Sequence, residues 1–555
     1  MSFSLLAKST RGASFLILLQ VASRALTFID NQILLRFLSP AILGVATQLE
    51  LFSISTLYFS RESTRVALQR RRSDPISQPK DPSEDGESRE SRSLREAITL
   101  SSLSITLGVP LTLVFQYLYT RSATPSLLST PYFLRSLNIY AVATILELCH
   151  EPFFAIMQQN LSYSIRTAAE MQATLLRCVI TCSTAIYAHT QNHSIGVLPF
   201  ALGQLSYSIL LLLGYYIRLR SQLPPLFQST HSRPGIPSAL LKLTGTLYAQ
   251  SLFKQLLTSG DSYLITLFTS LSSQGAYALA SNYGGLLARV FFQPIEEASR
   301  TLLAQLLPPL SDTSRSAGSK EQQAVGQDSV ALRQATTYLT LLLRLYALLA
   351  LVLMTLAPPL TSPLLSLVAG SRWTATEAPS VLSAYCYYIP LLAINGLLEA
   401  YVSAVATPAQ LRTQSVVMVG WSVMFAALGL GVLAWGDGGA RGLVVVNGIV
   451  MVGRIAWSVN FVKKDLKDRG GSLDWKDVMP RSVSLAPVVV GRAVLERWVS
   501  EKSMGMGELA RVGAVVGICG IGVVGSEREF LWRMVGMMRP MSRMKGQSSG
   551  GEKGK

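Results

Sequence analysis

Five cations lie within or at the ends of long hydrophobic runs: Arg24, Arg36, Arg61, Lys254 and Arg289. An ionisable group at membrane depth is costly, and it usually faces a bundle interior or a water-filled cavity. Gln20, Arg24, Thr27 and Asn31 follow spacings of 4, 3 and 4, which makes one polar stripe on a helix. The pattern recurs in Gln250, Lys254, Thr258 and Asp261, and again in Asn282, Arg289, Gln293, Glu296 and Arg300, where Pro294 interrupts the backbone ladder. Arg344 and Arg454 add further cationic positions. Cations facing inward create a positively charged cavity suited to an anion such as a phosphate, to which Arg offers a bidentate fork and Lys a point charge. A plain packing network between helices is the competing use of such stripes.

Acids are interspersed with these cations: Asp30, Glu50, Glu147, Glu151, Glu170, Asp261, Glu296, Glu297 and Glu399. They can neutralise arginines in structural ion pairs, or one can carry a proton. Spacing favours pairing, because acids and bases fall one or two turns apart in several runs. Glu296 and Arg300, at i and i+4, are the simplest pair, and Glu147 and Glu151 stand one turn apart.

The elements that carry these residues follow from composition. The chain has 555 residues, 49% of them hydrophobic and 15% charged, and its mean hydropathy is +0.35. Apolar runs of about 20 residues recur along its length, as a hydrocarbon core ~30 Å thick requires. The fold class is therefore an all-α polytopic membrane protein with about 14 transmembrane helices. The spans are placed at 13–38, 41–60, 97–119, 135–157, 165–189, 195–217, 242–268, 275–307, 331–357, 378–405, 412–435, 441–461, 480–498 and 507–525. The first reads as an uncleaved span, since no small-residue cleavage site follows it.

The formal charge of +17 does not point to nucleic acid, because the basic residues sit mainly in loops, where the positive-inside rule accounts for them. Loops on one side hold Arg65, Arg70, Arg71 and Arg72, then Arg218, Arg220 and Arg233, then Arg315 and Lys320, then Lys463, Lys464, Lys467 and Arg469. Alternate loops hold few, which puts both termini in the cytosol. Asn192, in the sequon Asn192-His193-Ser194, then faces the opposite side as a possible glycosylation site, whereas the Asn160 sequon is cytosolic. Residues 70–95 mix both charge signs with Ser and Pro and read as a disordered cytosolic loop. Residues 526–555 read as a basic cytosolic tail.

The second half of the chain repeats the first. Gln20 and Arg24 match Gln250 and Lys254; after one inserted residue, Asp30 matches Asp261 and Gly44 matches Gly275. This predicts two six-helix lobes, residues 1–240 and 241–461, related by an axis along the membrane normal. Two additional helices follow in 462–525.

Other patterns lead away from catalysis. Gly520, Gly522 and Gly525 have the spacing of a dinucleotide fingerprint, but no strand precedes them; with Gly513 and Gly517 they read as close helix packing. The five cysteines fall in predicted spans and form no disulfide framework. The four histidines are scattered, so no metal site is expected. No Walker A motif or nucleophile–base arrangement occurs, so neither an enzyme nor a cofactor is implied.

Several of these segments together resemble the eukaryotic Rft family: Asn31-Gln32-Ile33-Leu34-Leu35-Arg36, Leu43-Gly44-Val45, Gln48-Leu49-Glu50-Leu51, Tyr58-Phe59-Ser60-Arg61-Glu62-Ser63 and Arg65-Val66-Ala67-Leu68-Gln69. Glu147 with Glu151-Pro152-Phe153, Lys254-Gln255-Leu256-Leu257-Thr258, Gly260-Asp261, Gln293-Pro294-Ile295-Glu296-Glu297 and Asn395-Gly396 with Glu399-Ala400 continue it, so that it spans about residues 10–460. The resemblance implies a fold like the MATE and polysaccharide flippases. It also implies a role in the endoplasmic reticulum membrane: moving the mannose-rich dolichyl-diphosphate oligosaccharide from the cytosolic to the lumenal face for N-glycosylation. On that reading Arg24, Arg36, Arg61, Lys254 and Arg289 contact the diphosphate headgroup. Asp30, Asn31, Glu50, Glu151, Asp261, Glu296, Arg300 and Glu399 supply the cavity's polar and ion-paired groups, and the dolichol tail stays among membrane lipids. The alternatives are a MATE-type proton-coupled exporter and a non-transporting accessory factor among protein partners of the glycosylation pathway.

Overall fold

A computed structural model describes residues 32–73, 89–159, 163–219, 238–307, 321–435, 438–498 and 506–538, which are helical with no strand among them. After a short helical stretch, 32–37, and the break at Ser39, the main helices are α1 (Pro40–Ser73), α2 (Arg89–Arg121), α3 (Phe133–Leu148), α4 (Glu151–Gln159), α5 (Tyr163–Thr190) and α6 (Leu198–Leu219). Next come α7 (Ser238–Phe268), α8 (Leu271–Leu287), α9 (Gln293–Leu306), α10 (Glu321–Leu356), α11 (Ala378–Val405), α12 (Pro408–Trp435) and α13 (Gly439–Asp468). The last three are α14 (Leu485–Trp498), α15 (Met506–Ser526) and α16 (Arg528–Met538).

Nine of the helical segments among the described residues are long and apolar enough to cross a membrane, and a pair bent by 75° (Ala510–Ser526 with Arg528–Met534) makes a tenth if it is one span. The helices α5 and α7 and the run from α8 to α9 also lie where spans are predicted, outside this set. In lipid every backbone polar group must be satisfied within the segment, which a helix alone does for a single span. Large apolar side chains such as Leu267, Val416, Trp435 and Ile521 therefore stand exposed on the outer faces without penalty. Helix α1 is longer than its predicted span. It carries Arg65 inside the helix rather than in the loop to which charge counting assigns it.

The chain forms two compact units: Met1–Ala278 with Val368–Thr376, and Leu279–Leu367 with Glu377–Lys555. In the first, α1 packs on α2 and α7, and α6 packs on α3 and α5. Its core gathers Val45, Leu49 and Phe52 of α1 with Phe133, Leu137 and Tyr140 of α3. In the second, α11 packs against α9, α10 and α13, while α14 and α15 pair beside α10. Phe530 of α16, inside the segment read as a tail, is buried in that α10–α14–α15 cluster.

Two prolines shape the helices that carry charge. Pro152 has no N–H and its ring clashes with the carbonyl four residues back, Leu148, where α3 ends. The chain turns through Cys149 and His150 and resumes as α4, so Glu147 and Glu151 sit at facing helix ends. Before Pro294 the backbone widens into a π turn, Ala288–Phe292, which absorbs the missing hydrogen bond. Arg289 lies in that turn.

Two glycines matter for close approach. A Cβ on Gly44 would lie 2.1 Å from the Leu271 carbonyl oxygen, and one on Gly275 would lie 1.9 Å from that of Pro40. The starts of α1 and α8 thus cross backbone to backbone within the first unit. Of the five glycines in the C-terminal run, only Gly522 packs closely, its added Cβ lying 2.9 Å from Pro487; at Gly513, Gly517, Gly520 and Gly525 it would meet nothing.

Candidate functional site

Six charged residues of the first unit, Glu50, Arg61, Glu62, Arg65, Glu147 and Arg177, line a cavity of about 270 Å³ between α1, α3, α5 and α6. Arg61 of α1 donates from Nη1 to both Glu147 (3.0 Å) and Glu151 (3.3 Å). One turn on, Arg65 forks onto Glu151 through Nε (2.9 Å) and Nη2 (2.5 Å), and its guanidinium also lies 3.9 Å from the centre of the Phe154 ring. The Glu151 carboxylate is only 1% exposed. The second Glu147 oxygen accepts from Gln204 Nε2 at 3.3 Å. A buried carboxylate with this many donors is fully compensated.

The opposite side of the cavity is built differently. Arg177 of α5 donates from Nη2 to Glu50 at 2.6 Å, but the Arg177 and Glu50 side chains are 30% and 45% exposed. An exposed pair contributes little and is readily replaced by another partner. Arg61 Nε and Nη2 and Arg177 Nε and Nη1 take no partner among the described residues. The cavity therefore pairs a guanidinium fixed by buried acids with one held by an exchangeable acid. Free donors on both suit a phosphate-type anion, which Arg binds through parallel N–H bonds.

The structure brings Arg61, Glu50 and Glu151 together and distributes the other predicted residues. Arg36 lies apart, exposed, with Nε on the Val368 carbonyl (3.2 Å); beside it the buried Trp373 indole donates to the Leu35 carbonyl at 3.0 Å. Asp261 accepts the Tyr277 hydroxyl at 2.6 Å and the Ser262 amide at 2.8 Å. In the second unit Glu399 pairs with Arg454 at 2.6 Å. The Glu296 carboxylate lies against Gly396, where a Cβ would stand 1.8 Å from its oxygen. Arg300 is exposed, and no direct Glu296–Arg300 ion pair is present among the described residues. Asn192 is exposed in a turn with φ of 52°. Arg24, Asp30 and Asn31 lie outside the described residues, as do the side chains of Lys254 and Arg289.

Arg177 is the cavity cation that sequence reasoning passed over. Its setting, Thr174-Leu175-Leu176-Arg177-Cys178-Val179-Ile180, is a cation inside an apolar run, the same feature that marks Arg24.

The fold defines the class. The structure superposes on lipid II flippase MurJ in its inward closed conformation with a TM-score of 0.62, covering 93% of this chain and 99% of that one at 13% identity. An inward-facing MATE-family multidrug resistance transporter of the MOP superfamily gives a TM-score of 0.50 over 80% of this chain and 96% of that one, at 14% identity. This is the multi-helix fold of membrane flippases and transporters. The particular family comes from sequence: the family model described as Rft protein matches residues 8–536, and the chain belongs to the Rft family. It is 33% identical over 498 residues to the "Man(5)GlcNAc(2)-PP-dolichol translocation protein RFT1" of Yarrowia lipolytica, covering 82% of this chain and 70% of that one. The Saccharomyces cerevisiae protein of the same name is 31% identical over 500 residues, covering 83% and 84%.

Proposed function

We propose that this protein translocates the dolichyl-diphosphate-linked, mannose-rich oligosaccharide from the cytosolic to the lumenal face of the endoplasmic reticulum membrane. The observation that carries this reading is family membership over nearly the whole chain, with relatives named for translocating Man(5)GlcNAc(2)-PP-dolichol. The first-unit cavity supplies a fitting headgroup site. The diphosphate bridges Arg61 and Arg177 and displaces Glu50, while Glu147 and Glu151 keep Arg61 in place. Arg24, Arg36, Lys254 and Arg289 contact the headgroup as it is exposed alternately to the two faces. Translocation requires no covalent step, so no catalytic residue is assigned.

The same reading keeps about 14 spans in two six-helix lobes, 1–240 and 241–461, with additional helices in 462–525, and places both termini in the cytosol. The basic residues of the last turns of α13, Lys463, Lys464 and Lys467, and Arg469 just after it then lie on the cytosolic side. The test is the lipid-linked oligosaccharide profile of cells depleted of the protein. Build-up of the last intermediate made on the cytosolic face, with underglycosylated secreted proteins, is expected, and a normal profile overturns the reading. Reconstitution of the purified chain in vesicles then separates direct translocation from assistance.

A further inference from the structure

A second cavity, of about 180 Å³, opens in the second unit where the start of α12 meets the end of α13. One face of α13 lines it with Trp457, Phe461, Lys464, Asp465 and Asp468, whose spacings of three, four and seven residues keep them on one side of the helix. Thr413 of α12 stands opposite. The Trp457 and Phe461 rings are stacked, with centroids 5.9 Å apart and planes at 23°, and both are half-buried.

Asp465 is the fixed polar group. It is buried, and its Oδ2 accepts the Tyr401 hydroxyl at 2.8 Å and Arg469 Nε at 2.9 Å. Its Oδ1 takes no bond from a described residue. Tyr401 and Arg469 thus hold the carboxylate at the cavity wall through one oxygen, which leaves the other for a further donor. Asp468 and Lys464 are exposed at the rim.

The mixture selects a ligand class. An inorganic anion finds no excess of positive charge, because Arg469 is paired with Asp465 and the exposed Asp468 offsets Lys464. A purely apolar ligand leaves the Asp465 oxygen desolvated without a partner, which is costly. A neutral ring with an apolar C–H face and a rim of hydroxyls satisfies every wall at once: the face lies on the aromatic pair, and the hydroxyls donate to the carboxylates and accept from Lys464. We propose that this cavity is a sugar subsite, taking one pyranose of the mannose-rich glycan on the side of the membrane from which the lipid is taken up. The proposal rests on the translocation reading for its choice of glycan.

The test measures binding of the soluble Man(5)GlcNAc(2) glycan to the purified full chain in detergent by saturation-transfer NMR, with inorganic pyrophosphate as a second probe. Wild-type protein is expected to bind the glycan saturably. Trp457→Ala and Asp468→Asn should weaken glycan binding at least tenfold while pyrophosphate binding is unchanged, and Trp457→Phe should restore most of it. Asp468 is exposed, so its variant tests the site even if Trp457→Ala fails to fold. Glycan binding that is absent, or equal in wild type and both variants, overturns the subsite. So does displacement of the bound glycan by detergent-solubilised phosphatidylinositol at a concentration well below that of the free glycan, which would make the ligand a lipid headgroup. Failure here combined with an altered lipid-linked oligosaccharide profile in depleted cells removes the subsite and leaves the translocation reading standing. A normal profile removes that reading whatever the binding result.

Discussion

Glu151→Gln separates the buried half of the ionic network from its exchangeable half. The substitution keeps shape and removes one negative charge from a carboxylate that is 1% exposed and serves both Arg65 and Arg61. Arg61 retains Glu147 at 3.0 Å, but Arg65 loses the carboxylate on which its fork closes. Removing one partner of a buried ion pair costs about 3–5 kcal/mol, because an uncompensated charge stays behind. Against a typical stability of ~5–15 kcal/mol this is a large fraction. The apparent melting temperature of the purified chain in detergent should drop by ~3–4 °C, and its cellular level should fall with it. Glu50→Gln is the internal control. Its side chain is 45% exposed, so the loss should stay below about 1 kcal/mol and the melting temperature should barely move. The pair Arg65→Met with Glu151→Gln should recover part of the single-variant loss, since removing both buried charges is far milder than stranding one. Equal melting temperatures for Glu151→Gln and wild type would refute the reasoning. A double variant as unstable as the sum of its parts would refute the pairing.

Other consequences follow from the same geometry. Glu50→Gln frees Arg177 from its exchangeable acid, so headgroup affinity in a pyrophosphate-binding assay should rise severalfold, whereas Arg177→Gln should lower it at normal protein level. Neutralising Arg289 should impair glycosylation while the protein still accumulates; parallel loss of protein would make it a structural partner instead. Gly396→Ala pushes a methyl against the Glu296 carboxylate and should lower the melting temperature by an amount equivalent to about 1–3 kcal/mol, and Glu296→Ala in the same chain should relieve most of it. Gly44→Ala and Gly275→Ala should each destabilise on the same scale. Together they should cost less than their sum, because the first methyl already parts the two helix starts.

How far the sequence was legible can be judged from particular elements. The span placed at 378–405 is the observed helix Ala378–Val405, because length and apolarity decide a transmembrane helix with little help from tertiary contacts. Glu147 and Glu151 were recognisable as a pair one turn apart, but not Arg61, which they share, or Arg65, which Glu151 holds. That sharing depends on the break that Pro152 puts between α3 and α4, and on Arg61 and Arg65 meeting them from 86 residues or more away in sequence. Charge counting assigned Arg65 to a loop because it treats an arginine near the end of a span as solvated. A buried acid on another helix removes that need. Spacing alone paired Glu296 with Arg300, yet Glu296 turns to Gly396 instead, and the permissive residue there is a glycine whose role no periodicity reveals. The glycine run near the C-terminus shows the converse: five residues share a packing-like pattern, and one of them packs.

The strongest link between sequence and architecture is the crossing of α1 and α8. Aligning the two halves of the chain places Gly44 on Gly275, a match that, taken alone, composition could produce by chance. The contact is reciprocal: Gly44 approaches the carbonyl four residues before Gly275, and Gly275 approaches the carbonyl four residues before Gly44. Mutual approach of this kind gives the contact a local two-fold character, the same logic that makes an isologous interface self-complementary. The glycines let two backbones approach to a distance that any side chain would block. A Cβ at either position meets the backbone of the other helix, so a substitution at one should displace both helix starts.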